Sequence, residues 1–363
     1  MASGFGPNHV APARVTLAKL ANVALFGRRD RPTDPRPAIE QFWSWWSENR
    51  DEVVAAGQAE DTERVRVLLA PAVAAMDAGL DWELRIGKDR PHTLVVTGGP
   101  TLELRGLAER WALAASADDK VEFAPSRPPD PAAFETTSTV EGYDVQLGET
   151  VVGARIDQEH GRLDVSVHHP LFPLLGDGAR LTVAFRSLYA ALGEDDVERW
   201  LGEVIAAADP PIDAFPVSAL PPLTEQLRGK PHWIELTGKS RLGAVRASVQ
   251  RPLSRVDRPL CDTYLAVVVP YPAGRDGLPD VDHVTTAVRD FRAELLRAAG
   301  GDGPHAVAIG HELMAKRAYM HLYVDGLTFD RQPVEDVLAS WPFGNGKITL
   351  RDDPGWRRAS RLL

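Results

Sequence analysis

The strongest structural pattern in the sequence is an ordered alternation of strand-like and helix-like segments in its last hundred or so residues. Four apolar runs predict strands: 263–269, 306–313, 318–324 and 347–350. Two helical stripes lie between them: Val281, Val284, Val288, Phe291 and Leu295 in the first, and Val334, Val337, Leu338 and Trp341 in the second. Asp280 is the predicted N-cap of the first helix. The order strand–helix–strand–strand–helix–strand predicts a ferredoxin-like βαββαβ sandwich, a four-stranded sheet with two helices on one face.

Length and composition set the outer limits of the architecture. At 363 residues the chain is too long for one ordinary hydrophobic core, so two domains are expected. Hydrophobic residues make up 44% and charged residues 25%, which is typical of globular proteins. We therefore predict an α+β protein with four parts: an N-terminal segment and linker at 1–36, an α+β domain at 37–208, a linker at 209–230, and the ferredoxin-like domain with two preceding strands at 231–363.

The predicted first domain mixes helix-like and strand-like patterns. One helical stripe consists of Ile39, Phe42, Trp43, Trp46 and Val53. A cofactor-stacking role for its rings is possible, but large aromatic side chains at this spacing favour core packing. Further along the chain, 181–192 and 196–207 are predicted as helices joined by an acidic hinge that begins at Gly193.

The first 36 residues differ in charge from the whole chain. They carry six basic and two acidic side chains, whereas the chain has a formal net charge of −10. Apolar residues recur in a loosely helical pattern: Val15, Leu17, Leu20, Val23, Ala24 and Phe26. Two interpretations stay open: an interfacial helix at 15–29 that contacts anionic lipid, or a terminal helix docked on the body of the protein.

Composition also argues against several classes of protein. The net charge of −10 is unfavourable for nucleic-acid binding, which requires a basic surface. The single cysteine, Cys261, can form neither an intrachain disulfide nor a cysteine-based metal site, which favours a reducing compartment. Neither a long apolar run nor a signal-peptide pattern occurs, so a cytoplasmic protein is expected.

The hairpin inside the C-terminal pattern predicts a register. If Ala315-Lys316 is a two-residue turn, three pairs lie on the face under the helices: Val307 with Val324, Ile309 with Leu322, and His311 with Met320. A slip of one residue would bury polar groups on that face, which favours this register.

The same register places an aromatic row on the opposite face of the sheet. The row consists of Tyr319, His321 and Tyr323, which are the candidate binding residues. RNA-recognition modules stack bases on such a row. Basic residues do not flank it, however, so the alternative is that the first domain, or strands at 233–236 and 244–250, cover this face.

Histidines are the side chains best suited to acid–base or metal chemistry in this sequence. In the predicted register His311 and His321 lie on opposite faces, so they cannot share a metal ion. His168 and His169 are adjacent at the end of a strand, where neighbouring side chains point to opposite sides. We therefore predict no metal site and no cofactor.

Familiar catalytic motifs are absent from the sequence. It contains neither a glycine-rich phosphate loop, nor a Gly-x-Ser-x-Gly elbow, nor a His-Glu-x-x-His zinc motif. Cys261 precedes Asp262, whose charge would raise the pKa of the thiol and make it a poor nucleophile. No catalytic residue is predicted.

Several short motifs carry a family resemblance. The stretch from Leu265 through Asp276-Gly277-Leu278-Pro279 to Asp353-Pro354-Gly355-Trp356 resembles the bacterial domain-of-unknown-function family 695. Phe42-Trp43 and Leu192-Gly193-Glu194 are similar to the upstream region of its longer members. The C-terminal module is similar, more distantly, to the ferredoxin-like regulators of ribonuclease E activity of the B type. That resemblance implies a protein that acts by binding a protein partner, although residues 262–363, with twelve basic and fourteen acidic side chains, do not form an acidic decoy surface.

Two functional hypotheses follow. The first is a non-catalytic cytoplasmic protein that binds a protein partner, or regulates it, through the C-terminal sheet or an interdomain cleft. The second is an enzyme of unrecognised type that uses histidines 168, 169, 311 or 321 in such a cleft.

Overall fold

A computed structural model describes residues 13–16, 34–158, 160–279 and 281–362 of the chain. Residues 13–16 form a strand, so the predicted helix does not extend over them. The rest of the predicted lipid-contacting segment at 15–29, and the predicted N-cap Asp280, lie outside the described residues.

The described residues form seven α-helices: α1 (Arg36–Gln58), α2 (Thr62–Met76), α3 (Arg105–Leu113), α4 (Asp177–Trp200), α5 (Pro221–Leu227), α6 (Asp282–Ala298) and α7 (Gln332–Ala339). Helix α4 bends at Gly193, inside the predicted hinge, where φ is 76°. A Cβ atom at Gly193 would lie 2.9 Å from the Arg127 carbonyl oxygen, so the bend requires glycine.

The strands of the described residues are β1 (Ala13–Thr16), β2 (Asp81–Ile86), β3 (His92–Thr97), β4 (Val121–Ala124), β5 (Thr137–Val140), β6 (Tyr143–Gln146), β7 (Val151–Asp157), β8 (Arg162–His168), β9 (Leu201–Ala206), β10 (Phe215–Pro216), β11 (His232–Ser240), β12 (Gly243–Arg251), β13 (Thr263–Pro270), β14 (Ala306–Met314), β15 (Arg317–Val324) and β16 (Lys347–Asp352). The predicted helix at 196–207 is therefore wrong from Leu201 onward. Strand β9 pairs in parallel with β8 and buries Leu201, Val204 and Ala206, so tertiary pairing outweighs the local helical pattern.

These strands form four sheets. A five-stranded sheet has the order β1-β9-β8-β7-β10, and a six-stranded sheet has the order β11-β12-β14-β15-β13-β16. The strands β2-β3-β4 and β5-β6 form two smaller sheets. Every pairing in the six-stranded sheet is antiparallel. The predicted α+β class is confirmed at this level.

The chain divides into two compact units that do not follow the expected boundaries. The first unit contains Ser126–Arg228 together with β1, and the second contains the described parts of Asp30–Pro125 and Gly229–Leu363. The described part of Asp30–Pro125 thus belongs with the C-terminal sheet rather than with a domain at 37–208. One cause is Arg110 of α3, which forms ion pairs with Asp262 and Asp325 across a long sequence interval.

Helices α6 and α7 pack on one face of the six-stranded sheet. The buried side chains of this face include Val284, Val288, Phe291, Leu295, Val334 and Trp341 from the helical side, and Leu265, Val267, Met320 and Leu322 from the strands. The predicted stripes are confirmed except at their first member. Val281 precedes α6 and is 41% exposed. In the residues before Pro125, Ile39, Phe42, Trp46 and Val53 are buried with Trp43 packed against them, as core packing predicts.

Candidate functional site

The aromatic row lies on the predicted face of the sheet. Along β15, Ala318, Met320, Leu322 and Val324 point into the core under the helices, so the alternating residues point away from it. Tyr319 is half-buried, whereas His321 and Tyr323 are buried. The row is therefore not an open surface on which bases or a partner could stack.

The covering element is the segment 353–362, which follows β16 and is called the covering segment below. The Trp356 ring stacks on Tyr323 at a centroid distance of 4.6 Å and an interplanar angle of 15°. Its indole N–H donates to the Cys261 carbonyl oxygen at 2.7 Å. Ala359 and Leu362 are buried in the same cluster. Strands β11 and β12, which were expected to cover this face, instead extend the sheet beyond β14.

The predicted hairpin register is correct near the turn and wrong beyond it. His311 pairs with Met320, as predicted, but Val307 pairs with Tyr323 rather than Val324. A β-bulge between Ala308 and Gly310 shifts the register by one residue. Val307 and Ile309 consequently lie on the aromatic face, in the same cluster as Tyr323.

A chain of polar side chains crosses the covered face. The Tyr264 hydroxyl bonds to Nδ1 of His321, and Nε2 of His321 lies 3.0 Å from a carboxylate oxygen of Glu312. Glu312 also accepts two N–H groups from Arg361 of the covering segment. A carboxylate oxygen can only accept, so Nε2 of His321 donates to Glu312. Nδ1 of His321 bonds to the Tyr264 hydroxyl, so both ring nitrogens are engaged.

The surroundings of Glu312 and Tyr264 shift the pKa values of these two side chains. Burial opposes ionisation of Glu312, but hydrogen bonds from His321 and Arg361 outweigh it and lower the pKa of that carboxyl. Burial raises the pKa of Tyr264 to about 12, so its hydroxyl stays protonated at neutral pH. The hydrogen bonds from Tyr264 through His321 to Glu312 have the donor order of a proton relay. These three side chains are buried, however, and only Arg361 beside them is exposed. Its observed effect is to attach the covering segment to the sheet.

Asp353 makes a second attachment. Its carboxylate accepts the Tyr323 hydroxyl at 2.6 Å and the backbone N–H groups of Arg357 and Arg358 at 3.1 and 2.8 Å. Burial, followed by the bond to Asp353, raises the pKa of Tyr323 well above its ordinary value. Asp353 begins the Asp-Pro-Gly-Trp motif, which therefore shapes the turn that returns the chain over the sheet.

A third polar cluster joins α3 to the C-terminal sheet. Asp325 is buried, forms an ion pair with Arg110, and is hydrogen-bonded to Nδ1 of His305 at 2.9 Å. Burial opposes ionisation of Asp325, but Arg110 and His305 lower its pKa. Nearby Cys261 is buried, and burial, with a smaller effect of Asp325, raises its pKa to about 12. The thiol is thus a poor nucleophile, mainly because of burial and less because of Asp262.

His168 and His169, two of the histidines considered for the enzyme hypothesis, are hydrogen-bonded to nearby backbone groups. Nε2 of His169 lies 3.1 Å from the Gln146 carbonyl oxygen, and its Nδ1 accepts the Leu171 N–H at 3.2 Å. His168 bonds through Nδ1 to the carbonyl oxygen of Ala207. Each histidine therefore has its own backbone partner.

His311 lies under the helices, opposite to His321, as predicted. Its Nδ1 accepts an N–H of Arg292 from α6 at 3.1 Å. Burial and the charge of Arg292 lower the pKa of His311 to about 4. His168 and His169 belong to the first unit, and His311 and His321 to the second.

The surface grooves in the described part of the second unit include two beside helices. One, of about 680 Å³, is lined by the end of α7 and the loop at 341–348. The other, of about 350 Å³, is lined by α1 and α2 around Trp45 and Pro71. Neither is lined by a predicted site residue. Within the described ranges, no cluster of three His, Cys, Asp or Glu side chains is placed to hold a metal ion.

The sequence contained signals for only part of this site. The alternation of β15 identified the face, but Tyr264, Glu312, Asp353 and Arg361 were not recognised as its partners.

Among the described helices, none is long and apolar enough to cross a membrane. Comparisons with protein-family models, with curated proteins and with solved structures found no match to this chain.

Proposed function

We propose that the chain is a non-catalytic, cytoplasmic protein that binds or regulates a protein partner, and that it does so through an edge of its C-terminal sheet. The observation that carries this proposal is strand β11, one of the two edge strands of the six-stranded sheet. Eight of its nine residues are exposed, with Ile234 the exception. Main-chain groups on such an edge can add a strand from another protein.

The state of the chemistry-bearing side chains supports the same proposal. Both ring nitrogens of His169 and of His321 are engaged in hydrogen bonds, and Cys261 is buried. These groups stabilise the fold around them. The enzyme hypothesis requires histidines with a nitrogen free for a substrate, and it is the less supported of the two.

The finer fold and family assignments belong to this proposal. We propose that 263–352 is a ferredoxin-like module, since its strands occur in the sheet order β14-β15-β13-β16 with α6 and α7 on one face. The hairpin of β11 and β12 extends that module by two strands. We likewise keep the resemblance to domain-of-unknown-function family 695, and the distant similarity to the B-type regulators of ribonuclease E activity, as proposals. Nucleic acid is not expected as a partner, given the net charge of −10.

The experiment is affinity capture with the full chain as bait and two variants at one position. In a two-residue hairpin the pair next to the turn, Ser240 and Gly243, is hydrogen-bonded, so by alternation the Thr237 N–H points away from β12. Thr237→Pro removes that outward donor without removing a bond to β12, and Thr237→Val keeps it.

We expect defined protein partners with the wild type and with Thr237→Val, and their loss with Thr237→Pro. Circular dichroism and thermal unfolding of all three proteins would check that each is folded. Identical captures with Thr237→Pro and Thr237→Val, or no specific capture by the wild type, would contradict the proposal.

A further inference from the structure

The outer edge of β11 combines unpaired backbone groups with exposed apolar side chains. Trp233 and Leu236 are 38% and 39% exposed, and Leu242 in the adjoining turn is 66% exposed. No other described strand pairs with the outer side of β11. Apolar groups exposed along an unpaired edge are typical of a surface that another strand covers.

The side chains that accompany the outward backbone groups are those of Trp233, Glu235, Thr237 and Lys239. These four residues alternate along β11 and therefore share one face of the sheet. It is the face of His311, under the helices, because Glu235 pairs with Ser248 and Ser248 pairs with His311. The Arg292 guanidinium lies 3.8 Å from the Trp233 ring centroid and holds that ring on this face. Glu235 and Lys239 are exposed and carry opposite charges four positions apart.

The order of charges along β11 is complementary to that of a second copy of β11 paired with it in antiparallel fashion. If two copies of β11 pair in antiparallel fashion with Thr237 opposite Thr237, each Glu235 lies directly opposite the Lys239 of the other copy. Directly opposed residues in this arrangement both have outward backbone groups, so the ladder between the copies can form. Trp233 then lies opposite Arg241, an arrangement that permits a cation–π contact.

Other registers lack this combination. Centring the pair on Glu235 or on Lys239 places two like charges opposite each other. Centring it on Leu236 sets Glu235 opposite Thr237 and gives up the direct ion pairs. Centring it on Gly238 sets Lys239 opposite Thr237 and leaves Glu235 opposite Arg241, which lies in the turn outside the strand. Charged side chains on an edge strand commonly prevent association. A negative and a positive residue on the same strand, however, favour a partner strand that presents a positive and a negative residue in matching positions.

We propose that the partner of this edge is a second copy of the same chain, bound by antiparallel pairing of two β11 strands about a twofold axis at Thr237. The two six-stranded sheets thereby become one continuous sheet of twelve strands. Two Glu235–Lys239 ion pairs fix the register. The inference rests on the proposed function in one respect, that the β11 edge is a protein-binding surface.

The test is the molar mass of the purified full chain, measured by light scattering and sedimentation over a range of concentrations. Four proteins are compared: the wild type, Glu235→Lys, Lys239→Glu, and the variant with both changes. We expect the wild type to be dimeric and each single variant to dissociate at least about tenfold more readily, because both ion pairs become like-charge pairs. The double variant restores opposite charges and should dimerise nearly as well as the wild type.

The double variant makes the test independent of folding defects, since it contains both substitutions. A wild type that is monomeric at every concentration would overturn the inference, as would dimers that are insensitive to the single substitutions or not restored by the double one. A monomeric wild type that still captures a different protein through β11 would overturn the self-association alone and leave the proposed function standing.

Discussion

The two faces of the six-stranded sheet are closed in different ways. Helices α6 and α7 close one face with apolar side chains such as Phe291 and Val334. The covering segment closes the other face with Trp356, two other buried apolar residues and hydrogen bonds to Asp353 and Glu312. Apolar side chains from two helices cover the helix face, whereas the short covering segment on the aromatic face relies more on polar bonds. Substitutions should therefore act differently on the two faces.

The largest effect is expected on the helix face. Phe291→Ala should lower the free energy of unfolding by about 3–5 kcal/mol, because it leaves a cavity beside Trp341, whose ring centroid is 4.7 Å away. Denaturant unfolding would measure it. Val281→Ala is the matched control, because Val281 is partly exposed and should change stability by less than about 0.5 kcal/mol. Equal effects at the two positions would refute the assigned packing.

A smaller but more local effect is expected on the aromatic face. Asp353→Ala should cost about 2–3 kcal/mol, because it leaves the Tyr323 hydroxyl and two backbone N–H groups without their acceptor. The covering segment should loosen, which faster hydrogen exchange of the backbone amides of 353–362 would report. Asp352→Ala, at the exposed neighbouring position, is the control. Unchanged amide exchange of 353–362 in Asp353→Ala would show that the segment does not depend on this carboxylate.

The two faces should also respond to acid at different pH. The pKa of His311 under the helices falls from 6.5 to about 4 on folding, so the unfolded chain binds the proton first. The free energy of unfolding should therefore decrease as the pH falls from 6.5 to about 4, by about 2–3 kcal/mol in total. Urea titrations at several pH values would show a flatter dependence for His311→Gln. A wild type and variant with the same slope in that window would contradict the assigned environment.

The smallest effect is expected for Glu312 on the aromatic face. Its pKa is lowered from 4.5 in the folded protein, so its contribution to stability is present above pH 4.5 and is lost as the pH falls through the folded value. Glu312→Gln should flatten the dependence of stability on pH below 4.5 and leave the window of His311 unchanged. Stability that decreases equally in both proteins below pH 4.5 would count against this carboxylate.

The sequence predicted the helix face better than the aromatic face, for a physical reason. Residues of one helix or strand repeat at a fixed spacing, so Val284, Val288 and Phe291 could be assigned together. Tyr264, His321 and Arg361 come from three separate segments, and no periodicity connects them. Their contact is a property of the tertiary fold.

The register error has a similar origin. The run from Ala306 to Gly310 is apolar at both alternating sets of positions, so a shift by one residue leaves the pattern unchanged. Gly310 was the available signal, since an isolated glycine in a strand often marks a bulge or a close approach. A Cβ atom there would lie 2.6 Å from the Ser248 carbonyl oxygen, so β12 can pair with β14 only because this residue has no side chain.

The ion pair between Arg110 and Asp325 imposes an order of events on synthesis of the protein. These residues are 215 positions apart, so the arginine leaves the ribosome long before its carboxylate partner exists. At typical elongation rates this interval lasts roughly 10–40 s. During that time α3 has only its own neighbours, such as Trp111 against Trp43, to hold it in place. The second unit is therefore the later of the two to be completed, whereas Ser126–Arg228 is already fully translated when β11 begins to emerge.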